Sequence, residues 1–268
     1  METNVDSKPF IFTTLRWDPT LPLPDERDAA DASSQFYLLQ NHADRLADAC
    51  VSGYLGNSAL TSSSIDSGSL AKELSSAVLR WHNTPGNGSA KSLRIKHRIY
   101  GDGMTMTECW PVPRLPRASC FPPTLGTPQT LLAARVEWTI VLDTEPTKVS
   151  CSTKCKTSDR QAYDRARKDA GIPSLISQQE CLLYDHDGHI IDASICTPYF
   201  FRDGVWLTPS AECGGQQGTT RRWALEHDRA SEGTIEKSRL ESDQIVWLSN
   251  AVRGFFAARF VQSFPEKK

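Results

Sequence analysis

A run of aromatic, aliphatic and β-branched residues, Phe10 to Trp17 (FIFTTLRW), predicts a strand closed by Asp18-Pro19 and the proline-spaced Leu21-Pro22-Leu23-Pro24. Residues 1 to 8 before it are polar and read as a frayed end. Phe36 to Leu39 reads as a second short strand, and Asn41 is placed to cap a helix on which Leu46, Ala49 and Cys50 share a face. Ser52 to Ser69 is rich in Ser and Gly and reads as a loop. Leu70, Leu74, Val78 and Leu79 then recur at helical spacing, and Asn83 to Ser89 (NTPGNGS) ends that helix. Leu93 to Tyr100 and Met104 to Trp110 flank Gly101-Asp102-Gly103, the pattern of an antiparallel hairpin.

Six prolines lie between Pro111 and Pro128; they remove backbone donors and fix φ, so no regular element is expected to run through. This divides the chain into a domain over residues 1–115, a linker over 116–128 and a strand-rich domain over 129–268. In the latter, Ala134 to Leu142 predicts a strand. Thr157-Ser158-Asp159 read as start residues of a helix from about Asp159 to Ala170. Glu180 to Tyr184 reverses through Asp185-His186-Asp187-Gly188 into His189-Ile190-Ile191, and Pro198 to Phe201 pairs with Val205 to Thr208 through Arg202-Asp203-Gly204. A helix over Thr220 to Glu226 and an apolar strand over Gln244 to Leu248 follow. No internal repeat is visible.

Composition narrows the class. A chain of 268 residues with 39% hydrophobic residues, seven Trp and ten Phe can bury a sizeable core, as two domains or one large α/β domain. A net charge of −2 and a pI near 6.3 supply no field to attract nucleic acid or acidic membranes. Eight cysteines form no Cys-x-x-Cys pair and the N-terminus has no basic segment followed by an apolar signal core, so reduced thiols and a cytoplasmic location are expected. Nothing approaches 18 consecutive apolar residues, and no membrane helix is expected.

The candidate chemistry centres on Cys151 to Arg167 (CSTKCKTSDRQAYDRAR), which places Lys156 at a strand-to-helix junction. Out of bulk water its amine can lose a proton and attack an aldehyde; on a solvated surface it is an ordinary charge. Gly214-Gly215-Gln216-Gln217-Gly218-Thr219-Thr220-Arg221 precedes a helix and either cradles a phosphate or only turns the chain. Ser249-Asn250-Ala251 at a strand's end is open to the same two readings. Asp192, in apolar company, must be paired, hydrogen-bonded or protonated; it either faces a protonated ring nitrogen or holds loop amides. His186-x-x-His189 lacks a third nearby ligand, so no metal is expected.

Taken in order, Arg45 in NHADRL, Lys156 in KTSDRQAYDRAR, Asp192 in DASICTPYFFRDGVWLTP, GGQQGTTRRWALE and WLSNAVRGF resemble the class IV pyridoxal-phosphate aminotransferase family, nearest to its fungal aminodeoxychorismate lyases. The resemblance covers about residues 10 to 50 and 95 to 260. It implies a two-domain α/β (α+β) fold of the D-amino acid aminotransferase type, with pyridoxal phosphate in a cleft between the domains, and a homodimer. By the same resemblance Lys156 holds the cofactor as a Schiff base and then serves as general base or acid. Arg45, Thr219, Thr220, Asn250 and Ala251 grip its phosphate, Asp192 stands where the family has a glutamate at the pyridine nitrogen, and Arg16 lies toward the substrate. Ala193 and Thr197 replace the usual Gly and Asn. The implied reaction converts 4-amino-4-deoxychorismate to 4-aminobenzoate and pyruvate. The alternatives are transamination of an amino acid or amine, and a cofactor-binding protein with impaired turnover.

Overall fold

The computed structural model describes residues 8–21, 35–56, 61, 65–88, 91–133 and 136–264. The expected frayed end up to residue 7, the segment Pro22 to Pro24 and part of the serine-rich stretch lie outside the described residues. The chain divides into two compact units. One takes Met1–Phe121 together with Cys155–Asp159 and Ala251–Arg253; the other takes Pro122–Lys154, Arg160–Asn250 and Gly254–Lys268.

The first unit contains β1 (Phe10–Trp17), α1 (Leu39–Cys50), α2 (Ser67–Asn83), β2 (Ser92–Tyr100), β3 (Thr105–Val112) and the single turn α3 (Arg117–Cys120). Its strands form an antiparallel sheet, β1-β2-β3, with Leu15 opposite Ile95 and Ile95 opposite Cys109. Side chains alternate across a strand, so Ile11, Leu15 and Trp17 join Leu93, Ile95 and Ile99 on one face, packed with Leu39, Leu46, Leu70 and Leu74 from the two helices. The other face carries a separate cluster of Phe10, Phe12 and Tyr100.

Four local expectations are corrected here. Phe36 makes one bridge to Trp17, not a strand; Leu38 takes a left-handed φ of 55° and the chain enters α1 at Leu39. Asn41 therefore sits inside the helix, and no side chain caps it. Burial of Phe36 to Leu39 decides the backbone there, overriding strand propensity. Leu79 is 62% exposed, whereas Ala77 joins Leu70, Leu74 and Val78 inside. Five residues on from Leu74, position 79 has rotated off the inner face. Finally, β3 runs through Pro111, which an edge strand tolerates, and Pro128 opens a short helix at a position where a missing donor costs nothing.

The second unit contains α4 (Pro128–Leu132), β4 (Trp138–Leu142), α5 (Cys151–Lys154), α6 (Gln161–Asp169), β5 (Gln179–Tyr184), β6 (Ile190–Ala193), β7 (Thr197–Arg202), β8 (Val205–Pro209), α7 (Thr219–Glu226), β9 (Ser231–Gly233), β10 (Ile245–Asn250) and β11 (Gly254–Phe260). They build one mixed sheet in the order β6-β5-β4-β11-β10-β7-β8-β9. β4 is parallel to both β5 and β11, and β9 is parallel to β8. The predicted strand from Ala134 starts only at Trp138; residues 134 and 135 lie outside the described residues.

Neighbouring positions along these strands enter two different cores. Ile140, Leu182, Phe200 and Leu248 belong to one, while Val141, Cys181, Leu183 and Ile191 pack with Tyr163 and Ala166 of α6 in the other. Both sides of the central strands are covered, so they read as continuous apolar runs. The β7–β8 hairpin turns on Asp203 and Gly204, whose φ values of 49° and 85° suit a two-residue turn that needs both positive. All eight cysteines are free thiols.

Candidate active site

Lys156 lies in a segment that is tied along the start of β1. Phe12 N donates to Lys156 O at 2.9 Å, Ser158 N donates to Phe10 O at 2.8 Å, and Ile11 bridges Thr157. The side chain is half-buried, with Nζ 5.1 Å from the centroid of the Phe12 ring. An aromatic face attracts the protonated amine while offering no acceptor for its proton.

The polar residues after it do not cap a helix. Ser158 Oγ accepts from Phe10 N at 3.1 Å and shares a 2.8 Å hydrogen bond with Tyr54 OH, which also accepts from Asp159 N at 3.0 Å. Thr157 Oγ1 donates to Asp159 O. α6 instead follows Arg160 without a side-chain cap. Ser, Thr and Asp favour helix starts and tethered turns through the same hydrogen-bonding chemistry, and here the turn prevails.

Arg45 extends from α1 to Thr13 on β1, its Nη2 donating to Thr13 Oγ1 at 2.5 Å; the buried His42 ring bonds the same hydroxyl. Arg16 is 2% exposed, and all three guanidinium nitrogens have protein partners: Nε donates to Val252 O, Nη2 to Pro113 O, and Nη1 lies 3.4 Å from Asp18 Oδ2. Arg16 N also donates to Ala251 O. The first unit thus brings together Lys156 and Phe12, Arg45 and Thr13, and Arg16 with Ala251.

The second unit holds the other candidates. Asp192 is 5% exposed; Oδ1 accepts from Ala193 N at 2.9 Å, and Oδ2 from Tyr163 OH at 3.2 Å and Gln216 N at 3.4 Å. The loop-amide contact is therefore made, and a carboxylate has lone pairs for a further donor. Burial, and then the neighbouring Asp192 charge, hold the Tyr163 phenol well above its ordinary pKa, so it stays a donor. Tyr163→Phe removes that donor and is expected to cost about 1.5–3 kcal/mol in urea unfolding, the range for a hydrogen bond to a charged group. Tyr163 was not singled out from the sequence; its available signal is a phenol three residues before the buried Ala166 on the inner face of α6.

The glycine-rich loop runs close against β6 and β7. A Cβ at Gly215 would collide with the Ile191 carbonyl, and one at Gly218 would lie 2.7 Å from Thr197 Oγ1. Gly215→Ala must displace the loop from Asp192 and is expected to destabilise by about 1–3 kcal/mol, read as a lowered urea midpoint. Gly218 precedes α7 with no side-chain cap, and the buried Thr219 and Thr220 open the helix. A helix start built this way suits an anion. Thr220 Oγ1 lies 2.8 Å from Ser249 Oγ, which in turn bonds Tyr199 OH at 2.8 Å. Asn250 sends Nδ2 toward Ile195 O and Cys196 Sγ. Behind these groups Glu180, fully buried, accepts from Ser194 Oγ and Ile195 N and faces Arg167 at 3.6 Å.

The family profile described as amino-transferase class IV matches residues 11–260. The chain belongs to the class IV aminotransferase family. Members of this family use pyridoxal phosphate. A Schizosaccharomyces pombe relative that carries aminodeoxychorismate lyase as a provisional name is 32% identical over 126 residues, 44% of this chain and 53% of the relative. The aminodeoxychorismate lyase of Saccharomyces cerevisiae is 27% identical over 139 residues, 46% of this chain and 37% of that protein. The chain spans about half or less of the length of these curated relatives. Among solved class IV folds, a Mesorhizobium loti protein provisionally named an amino-acid aminotransferase superposes with a TM-score of 0.67 at 24% identity, covering 95% of this chain and all of that one. Among the described residues no helix is long and apolar enough to cross a membrane.

Proposed function

We propose that this class IV aminotransferase-family chain is a pyridoxal-phosphate-dependent lyase that converts 4-amino-4-deoxychorismate to 4-aminobenzoate and pyruvate. The observation that carries it is the Lys156 amine, half-buried on the Phe12 ring and carried by a segment whose backbone two main-chain hydrogen bonds tie to β1. The fungal relatives named for this reaction support the choice of substrate.

The donor set suits a phosphorylated pyridine aldehyde. Lys156 offers the amine; Arg45, Thr219, Thr220, Asn250 and the Ala251 turn are the residues proposed to hold the phosphate. Asp192, already accepting from Tyr163 OH, Ala193 N and Gln216 N, is proposed for the ring nitrogen. Bound, the cofactor supplies an electron sink for charge developing on the substrate carbon that bears the amine. Lys156 Nζ then takes the proton from that carbon and returns it to the departing enolpyruvyl group, which leaves as pyruvate while the ring becomes aromatic. Homodimerisation and a cytoplasmic location belong to the same proposal.

Borohydride reduction of protein incubated with pyridoxal phosphate, followed by peptide mapping, is expected to place a pyridoxyl group on Lys156. Pyruvate and 4-aminobenzoate are expected in equal amounts with no keto acid added. An absolute requirement for a keto acid acceptor reassigns the chain to transamination, and a labelled protein that turns over neither substrate is the impaired homologue.

A further inference from the structure

The resemblance places Arg16 toward the substrate, yet its guanidinium is an internal fastening, with Nε and Nη2 on the Val252 and Pro113 carbonyls and Nη1 facing Asp18. Directly opposite it on β2 stands a second arginine, Arg94, and opposite that on β3 stands Trp110. Like charges opposite one another destabilise a sheet unless each has its own counter-charge. Alternation along β2 puts Arg94, Lys96 and Arg98 together on the sheet face that carries Phe10, Phe12 and Tyr100. Arg98 donates to Glu108 and lies 5.1 Å from the centroid of the Phe10 ring. The Arg94 guanidinium lies 4.8 Å from the centroid of the Trp110 ring.

Arg94 differs from both of these arginines in lacking an acceptor. It is half-buried, and among the described residues none accepts a hydrogen bond from its guanidinium. Glu108, the carboxylate that bears on it, is bonded to Arg98, while Arg253 of the same compact unit adds a like charge; burial and then that charge hold Arg94 below its ordinary pKa. A guanidinium keeps its proton regardless, and a ring face attracts it without accepting the N–H groups in its plane. The missing partner is an anion. Lys96 Nζ and Lys156 Nζ share the Phe12 ring, at 4.8 and 5.1 Å from its centroid, which sets the β2 row beside the reactive amine. Arg94 follows Lys96 by one pleat repeat, about 6.6 Å along the strand. In 4-amino-4-deoxychorismate one carboxylate stands across the ring from the amine, and a planar fork held against Trp110 matches a carboxylate with two parallel hydrogen bonds. We propose that Arg94 binds that remote carboxylate of the amino substrate, so that the site selects a cyclic amine with a carboxylate across the ring. The proposal rests on the lyase reading and adds to it the residue that recognises the substrate.

The test titrates 4-aminobenzoate and the uncharged 4-aminobenzamide calorimetrically into cofactor-loaded wild type, Arg94→Gln and Arg94→Lys, and measures KM and kcat for 4-amino-4-deoxychorismate. Wild type is expected to prefer the carboxylate over the amide about 10- to 100-fold, the worth of hydrogen bonds to a charged group. Arg94→Gln is expected to abolish that preference and to raise KM by the same factor, with the loss in KM rather than kcat. Arg94→Lys, which keeps the charge without the fork, should fall between the two. Pyridoxal phosphate affinity and the Lys156 label should stay at wild-type values. A wild type without the preference, or a preference that survives Arg94→Gln, overturns the proposal. Equal weakening of acid and amide also overturns it, because the damage is then to the fold of the face. Loss of pyridoxal phosphate affinity in place of substrate affinity overturns it too and gives Arg94 to the phosphate. Absence of the Lys156 label, with the acid still preferred through Arg94, is the separate result that removes the cofactor reading and leaves the carboxylate site. Should Arg94→Gln not fold, Arg94→Lys decides alone.

Discussion

Lys156→Ala is expected to lose turnover by at least about 10³-fold and to lose the borohydride-dependent pyridoxyl label, because one amine both attaches the cofactor and moves the proton. Positioned general acid–base groups are worth about 10²–10⁴-fold by themselves, and the lost attachment adds to this. Added methylamine is expected to restore part of the rate, since a small amine can occupy the space left on Phe12 and accept the same proton. The rescued rate should rise with pH as more of the added amine becomes neutral. Lys156→Arg, whose guanidinium stays charged, should be as inactive as Lys156→Ala and should gain nothing from methylamine. Turnover by Lys156→Ala within a few-fold of wild type would remove Lys156 from the reaction, and the lyase proposal with it.

The largest stability effect is expected from the buried pair behind Asp192. Glu180 has no exposed surface, Arg167 is 7% exposed, and Arg167 also donates to Ser194 Oγ at 2.8 Å and Ser174 O at 2.7 Å. Arg167→Leu leaves the Glu180 carboxylate in the core without its cation, and removal of one partner of a buried ion pair costs about 3–5 kcal/mol. The urea midpoint should fall accordingly, with the m-value unchanged. A double variant, Arg167→Met with Glu180→Gln, should recover much of that loss because no buried charge remains. A loss for Arg167→Leu below about 1 kcal/mol would mean that water or another cation already neutralises Glu180. Arg160 donates to Ser194 O at 2.8 Å, and Asn250 reaches toward Ile195 O. Loosening the Glu180 anchor should therefore disturb the same loop from both sides.

Much of the fold was legible as local pattern. The β1 run, the β2–β3 hairpin around Gly101-Asp102-Gly103, the Asp203-Gly204 turn and the helix after Gly218 all follow from residues within a few positions of one another. Where a short apolar run could serve either a strand or a buried turn, as at Phe36 to Leu39, local pattern was not decisive, and the helix begins where burial of those side chains allows. Leu79 shows the same limit at the scale of one residue, since helical spacing alone allowed a stripe one position too wide.

The candidate site divides in the same manner. Residue type alone established that Lys156 could attack, that Asp192 in apolar surroundings needed donors, and that glycines at 214, 215 and 218 freed the backbone to turn or to cradle a phosphate, because valence, charge and the lack of a Cβ belong to the side chain itself. Which partner each group took was settled by folding. Ser158 bonds a main-chain amide 148 residues away and Arg16 a carbonyl 236 residues away. A hydrogen bond needs its two atoms within about 3 Å, and only the packed chain brings such distant residues that close. Chemistry in this protein was therefore written one residue at a time, while the tasks given to Arg16, Ser158 and Tyr163 came from neighbours that no stretch of sequence contains.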